Sequence, residues 1–394
     1  MSGALEGIRV LDLGTRIAAP FCAGLLGEQG AEVIKIEQPG GGDFMREIGP
    51  FVDGYSLFWA VEGRGRKSVT IDLRAAEGQD LFCRLAETAD VVVENFRPGT
   101  LERWNIAPDR LAERLVTVRI SMFGQDGPYA LRPGLDRVGI GYGGLLNLTG
   151  YPDRPPVRVG VTISDYLTGV FAAHAAVSAL YARDARRGSG AVIDAALYGA
   201  VLRILEWTLP AYDRLGTVRG REGNRLANSA PLDNYPTRDG KYVCIVAGSD
   251  ANFARLCRAM DRPDLLNDAR FTRLADRARH GDTINGIVAD WTATLDARTI
   301  EERCVAHDVP VATAYTSADI FSDPHFEARH DLVTVDDPVV GPLRQQAPFP
   351  RRAGEVPRAP GGAPRLGEHT DEVLTTLLGM PAGELDALRA KGVV

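Results

Sequence analysis

Short apolar runs alternate with helix-patterned segments through the first 125 residues, and that alternation leaves few folds open. IRVLDL (8–13) reads as a strand, PFCAGLLGEQG (20–30) as a helix stopped by glycine, and EVIKIE (32–37) and SVTIDL (68–73) as strands. EGQDLFCRLAETA (77–89) is an amphipathic helix with Leu81, Phe82 and Leu85 on one side. DVVVEN (90–95), the helical segment PDRLAERL (108–115) and the strand VTVRISMF (116–123) follow. Repeated βαβ units of this kind predict an α/β fold, a doubly wound and mostly parallel sheet with helices on both faces. Ligands of such sheets sit outside the carboxyl ends of the strands. The loops after Leu13, Glu37, Leu73 and Asn95 are therefore the first places to seek a site. The loop after the first strand, GTRIAAP, is not G-x-G-x-x-G, and no GxxxxGK[ST] occurs, so neither a nicotinamide dinucleotide site of the usual type nor P-loop chemistry has support.

A chain of 394 residues is long enough for two to three domains, or a large one with a smaller companion. Residues 124–160 are rich in glycine and proline and read as a long irregular stretch. The run 166–182 then reads as a buried core helix rather than a membrane span, with Ser164 and Asp165 at its N-cap and Arg183, Arg186 and Arg187 closing it. Residues 191–213 predict a strand and a second apolar helix, and 214–235 a polar linker. A second domain is expected from DGKYVCIVAGSD (239–250) through HDVPVATAYT (307–316). DLVTVDDPVVGPL (331–343) reads as strand and turn, 351–364 as a Pro/Gly linker, and Thr370 with Glu372 behind it as a helix start.

Several classes of function are disfavoured. Lys and Arg number 45 against 52 Asp and Glu, a net charge of −7 with no long basic run, so no nucleic-acid partner is expected. The five cysteines lie far apart, and the six histidines show no i,i+4 pair, so neither a disulfide framework nor a metal site is expected. No secretory signal pattern is visible at the N-terminus, and the expected setting is cytoplasmic with no membrane partner.

Asp165 is the most informative acid. It stands where an apolar helix begins, and Gly169 follows one turn on, where bulk can approach the backbone. Helix dipole and free amides hold a carboxylate ionised at such a place, and an ionised carboxylate is a usable nucleophile toward a thioester or anhydride. The other reading of the same residue is a helix cap. A basic set lies near strand ends: Arg16, Lys35, Arg66, Lys67, Arg74, Arg97 and Arg103. Guanidinium groups there suit a phosphorylated ligand, or are solvated surface charge. In Asn95-Phe96-Arg97-Pro98-Gly99, the ring offers a flat face for a base and Asn95 an amide.

LEGIRVLDLG, GAEVIKIEQPGGGD, GRGRKSVTIDL, DVVVENFRPGTLER, ISMFGQDGP, ISDYLTG and LGEHTDEVL occur in that order across nearly the whole chain. Together they resemble family III CoA-transferases, the superfamily that includes formyl-CoA and carnitine CoA-transferases and α-methylacyl-CoA racemase. The resemblance implies a homodimer whose chains interlock, with a large Rossmann-like domain over 1–215, rejoined by 335–394, and a small α/β domain over 225–330. It implies that Asp165 is the catalytic carboxylate. It implies CoA contacts at Ile17 and Ala18, at Ile71, Asp72, Leu73 and Arg74, and at Asn95, Phe96, Arg97 and Arg103. Arg16, Gln38 and Arg132 complete the expected CoA-binding set.

Three departures from the family pattern carry consequences. Gln38 stands where the family often has an arginine, so Lys35 or Arg46 would have to replace a phosphate contact. The glycine loop of the small domain is reduced to Ala247-Gly248-Ser249, with Gly248 as the candidate substrate-loop residue. Leu135, in Gly134-Leu135-Asp136, occupies the place of the racemase histidine, and leucine cannot move a proton. The expected activity is CoA transfer from an acyl-CoA to a small carboxylic acid through an aspartyl anhydride and an aspartyl-CoA thioester. No permanently bound cofactor and no metal is expected; the CoA thioester is a substrate. A racemase or isomerase is the alternative, and a CoA-binding protein without catalysis a third reading. Arg132, Arg137 and Arg154 point to a second substrate carboxylate, as in a dicarboxylic acid, with succinyl-CoA as donor.

Overall fold

The structure is a computed structural model that describes residues 3–358 and 360–394. The chain divides into two compact units, the first formed by residues up to Leu145, Val159–Leu209 and His325–Val394, the second by Leu146–Arg158 and Pro210–Pro324.

The first unit is built on six parallel strands: β1 (Arg9–Asp12), β2 (Glu32–Glu37), β3 (Lys67–Thr70), β4 (Val91–Glu94), β5 (Val116–Ser121) and β6 (Val192–Ala196). Their spatial order is β3-β2-β1-β4-β5-β6. The winding reverses between β1 and β4, where Leu11 pairs with Val92, and an open parallel sheet leaves its ligand crevice at such a reversal. Successive side chains point to opposite faces. Leu11, Ile34, Val69 and Val92 face one core with helix α2 (Ala76–Ala86) and the C-terminal helix Thr370–Leu378. Val10, Val33, Val91, Val93, Val118 and Ile120 face the other, with helices α1 (Ala18–Glu28) and the 24-residue helix that starts at Ile163. Both faces are covered, which is why these strands read as continuous apolar runs.

Several elements differ from the sequence reading. The segment 108–115 is not a helix; its described turn is a three-residue 3-10 turn, Pro108–Arg110, and of that stretch the core takes up Leu115 fully and Leu111 in part. The Gly-rich stretch holds a helix, α3 (Asp136–Tyr142). Glycine disfavours helices by about 1 kcal/mol per residue, but Gly139 and Gly143 are packed so tightly that a Cβ would stand 2.7 Å from Ser164 Oγ and from Val201. The long helix, α4 (Ile163–Arg186), has Thr162 as its N-cap, so Ser164 and Asp165 lie inside its first turn. It buries one side, with Ser164, Thr168, Ala172, Ala176 and Leu180, but leaves Val170, Phe171, Val177 and Tyr181 exposed. Among the described helices it is long and apolar enough to cross a membrane by length and composition. The segment 331–343 is a hairpin, Leu332–Asp337 with Gly341–Gln346. Thr370 does start a helix, and its hydroxyl accepts from the Thr70 amide at 3.0 Å.

The second unit carries three antiparallel strands, β7 (Leu232–Pro236), β8 (Tyr242–Val246) and β9 (Val311–Thr313), with β8 central. Helices Asp250–Ala259, Gly281–Thr292 and Ala297–Ala306 pack on them around Tyr235, Val243, Ile245, Phe253, Leu256 and Ile300. Its sheet starts inside the segment read as linker, because Tyr235 is a core residue whose hydroxyl donates to Asn285 at 2.6 Å. Residues 146–158 belong to this unit, not to the first domain drawn from the sequence. Arg221 Nε donating to Tyr151 O at 3.1 Å and the Gly223 amide donating to Gly150 O at 2.9 Å hold them there.

Candidate active site

The site is built at the winding reversal. Beyond β1, the Leu13 amide still donates to Val93 O at 2.9 Å, and then the chain turns away. Asn95, just past β4, clamps that turn with both ends of its carboxamide. Its Oδ1 accepts from Thr15 N and its Nδ2 donates to Thr15 O, each at 2.8 Å. Asn95 thus ties the two loops together.

Arg16 follows in the left-handed region at φ +66°, a conformation that strains a non-glycine residue. Asp43 holds it there. Asp43 Oδ1 accepts from the Arg16 amide at 3.0 Å, and the guanidinium lies over the Phe44 ring at 4.2 Å. Burial works against the Asp43 carboxylate, yet Lys35 and the Met45 and Arg16 amides hold it below its ordinary value. Lys35 is fully buried, 3.0 Å from Asp43 and 3.6 Å from Asp12, and donates to Gly14 O. Arg66 pairs with Asp12 and donates to Pro20 O. Arg46 grips Glu37 with two nitrogens and stacks on Trp59 at 3.7 Å. Lys35 and Arg46 are therefore committed inside the protein. Both are held by carboxylates of the protein itself, whereas Gln38 is exposed.

The remaining basic residues divide accordingly. Lys67 pairs with Glu32 and Glu372. Arg74 and Arg97 are exposed at the ends of β3 and β4, and no described group pairs with either guanidinium. Arg103, also exposed, donates to Thr100 Oγ1 at 2.8 Å. Below them Glu94 is buried, accepting from the Phe96 amide at 2.7 Å and from Arg119 at 2.8 Å, while Arg119 also grips Glu102. Burial pushes Glu94 up to about 7 despite that arginine. Glu94, held by the buried Arg119, thus fixes the turn at the Phe96 amide. Phe96 is half-buried, edge-on to Trp104 at 5.0 Å. Ile71 and Leu73 are buried, whereas Asp72 is half-buried and takes the Arg74 amide on its Oδ1 at 3.0 Å.

Ile17 and Ala18 begin α1, which has no side-chain cap. α1 crosses α4 at Gly169, where a Cβ would stand 3.0 Å from Ala18 O and 2.9 Å from the Phe21 ring. The glycine singled out from sequence thus admits the backbone of α1, and its crossing brings the Arg16–Ala18 turn beside Asp165. Asp165 is half-buried, and among the described residues nothing donates a hydrogen bond to its carboxylate. Burial, joined by the charge of Asp136, pushes it up to about 7, against the pull of Arg16. Its neighbour Tyr166 is pinned edge-on to Phe21 and donates to Glu62 at 2.9 Å.

Asp136, Asp43 and Glu94 are the site residues that sequence reasoning passed over. Asp136 carried one signal, its place just after Gly134 at the opening of α3. Arg132 is exposed, 3.5 Å over the Tyr129 ring. Gly248, in the second unit, is buried. A Cβ there would collide with Ser229 Oγ, so a larger residue needs that hydroxyl to turn away, and the Gly248 carbonyl accepts from the fully buried Arg277 at 2.7 Å.

A family model described as CoA-transferase family III matches residues 5–370. The chain belongs to CoA-transferase family III. It is 42% identical to a protein of Chloroflexus aurantiacus named succinyl-CoA–D-citramalate CoA-transferase, over 99% of this chain and 98% of that one. It is 41% identical to the same organism's succinyl-CoA–L-malate CoA-transferase beta subunit, again over 99% and 98%. The crystal structure of a CAIB/BAIF family protein from Brucella suis superposes with a TM-score of 0.85 at 32% identity, covering 96% of this chain and all of that one. The chain is thus a CoA-transferase enzyme, and CoA thioesters are the substrates of its class.

Proposed function

We propose that the enzyme moves CoA from succinyl-CoA to a small dicarboxylic acid, with Asp165 as nucleophile. The observation that carries this is the state of Asp165: a half-buried carboxylate, without a hydrogen-bond donor among the described residues, with its pKa raised to about 7 by burial and by Asp136. A structural acid is normally hydrogen-bonded, and an acid with a displaced titration in a crevice is a candidate for chemistry. The relatives named for citramalate and malate support four- to five-carbon dicarboxylates as acceptors.

Asp165 Oδ attacks the thioester carbonyl, the C–S bond breaks and CoA thiolate leaves, giving an acyl-aspartyl anhydride. The thiolate attacks Asp165 Cγ and the donor acid departs as its carboxylate, leaving an aspartyl-CoA thioester. The acceptor carboxylate attacks Cγ, expelling thiolate, and the thiolate then takes the acceptor's acyl carbon and frees Asp165. Two easier exchanges replace one hard transfer. Arg74, Arg97 and Arg103 meet the phosphates of CoA, the uncapped first turn of α1 supplies amides at Ala18 and Ala19, and Asn95 keeps the two loops in register. Racemisation has no support at Leu135, an exposed apolar side chain.

Intact-protein mass after mixing with succinyl-CoA is the test, with citramalate, malate and oxalate as acceptors. A CoA or succinyl adduct on the Asp165 peptide, absent in Asp165→Asn, is expected. CoA binding without any adduct, or turnover surviving in Asp165→Asn, would overturn the reading.

A further inference from the structure

Two carboxylates meet at the start of α4, and the fold treats them differently. Asp136, 6% exposed, opens α3, and its Oδ1 accepts from both the amide and the hydroxyl of Ser164 at 2.9 Å. Ser164 and Asp165 are the second and third residues of α4. In a capping box the acid at the third position reaches back to the N-cap amide, here that of Thr162, and Asp165 makes no such bond among the described residues. Here a carboxylate from another helix occupies that turn, and Asp165 accepts nothing from the described residues. Gly139 permits the docking, since a Cβ there would stand 2.7 Å from Ser164 Oγ.

We propose that Asp136 is the positioning residue for the nucleophile: by holding the Ser164 amide and hydroxyl, it keeps the Asp165 carboxylate off its own helix, unpaired and available to the thioester. The inference rests on Asp165 being the nucleophile. The charged and titratable groups acting around Asp165 are Asp136 from α3, Arg16 from the β1–α1 turn and, on α4 itself, Tyr166 with Glu62 behind it. Arg16 favours the anion. Asp136 opposes it, so a lone pair on Asp165 is kept basic and is relieved when it bonds to carbon.

Asp136→Asn keeps an acceptor for Ser164 and removes the charge. The rate of adduct formation on Asp165 is followed against pH by quenched-flow mass spectrometry, with thermal melting to verify folding. The acid limb is expected to move down by about one pH unit or more, with KM for succinyl-CoA unchanged. Asp136→Glu keeps the charge but cannot seat as well on Ser164. Its limb is expected near the wild-type pH, with the plateau rate down about tenfold. A folded Asp136→Asn with wild-type limb and rate would overturn the proposal. If Asp136→Asn does not fold, Asp136→Glu decides alone: the wild-type plateau, or a limb fallen to the ordinary carboxylate range, would equally overturn it. Absence of any adduct in the wild type is a different failure, because it removes the nucleophile itself.

Discussion

At the scale of single residues, Asp165 links activity to stability. Its folded-state pKa is raised, first by burial and then by Asp136, to about 7 from an ordinary 3.8. The folded protein therefore binds this proton more tightly than the unfolded chain does. Above pH 7 the fold carries the whole cost of the anion; below pH 4 it carries none. Asp165→Asn removes the anion, so its melting temperature should exceed that of the wild type at pH 8, by about 2 °C or more. The gap should close between pH 7 and 4. The same variant should lose about 10⁴-fold or more in turnover. A melting curve at pH 8 indistinguishable from wild type would mean that Asp165 is not held in an unfavourable ionised state. The acid limb of wild-type kcat/KM should fall near pH 7, since the nucleophile must be deprotonated.

At the scale of elements, the α1–α4 crossing decides whether Asp165, the proposed nucleophile, and the Arg16–Ala18 turn, proposed to meet CoA, share one place. Gly169 makes that crossing close. Gly169→Val adds two methyls as well as a Cβ against Ala18 O and the Phe21 ring, so the helices must separate. Overpacking of this kind costs about 1–3 kcal/mol, and the displaced turn should raise KM for succinyl-CoA as well as lower kcat. Denaturant melts and steady-state kinetics on the same preparation check both; unchanged KM would sever the link between the crossing and the CoA turn. Elements also mark where sequence reading stopped. The strands of the first unit were legible because burial on both faces makes them continuous apolar runs. α3 was not, because its glycines act through the neighbours they admit, Ser164 and Val201, which are distant in sequence. The same limit hid Asp136, a plain acid in a Gly-rich stretch until α4 is laid against it.

At the scale of the whole molecule, α4 presents Val170, Phe171, Val177 and Tyr181 to solvent along one stripe, Phe171 at 41% and Tyr181 at 60% exposure. Apolar patches of this kind mark association surfaces. The homodimer expected from the family resemblance would cover this stripe. Chains that interlock cannot part while folded, so Phe171→Glu should lower the melting temperature and leave the sedimentation mass of a dimer; a wild-type chain that sediments as a monomer would refute the assignment. Long charge-bearing side chains elsewhere were harder to place from sequence. Seven basic residues near strand ends looked equivalent, but Lys35, Arg66 and Lys67 hold carboxylates of the protein itself, while among the described residues nothing pairs with the guanidinium of Arg74 or Arg97. Pairing partners are neighbours in space but range in sequence from Asp43, 8 residues from Lys35, to Glu372, 305 residues from Lys67.

Period and order are local properties, so the sequence alone determined the doubly wound sheet, the strand ends that form the crevice, the family and the candidacy of Asp165. Which charges are spent inside, what a Cβ at Gly169 or Gly248 would meet, and which of two carboxylates is left unpaired were decided by tertiary structure. These depend on desolvation and on contacts between segments far apart in the chain, and no local pattern of residues encodes either.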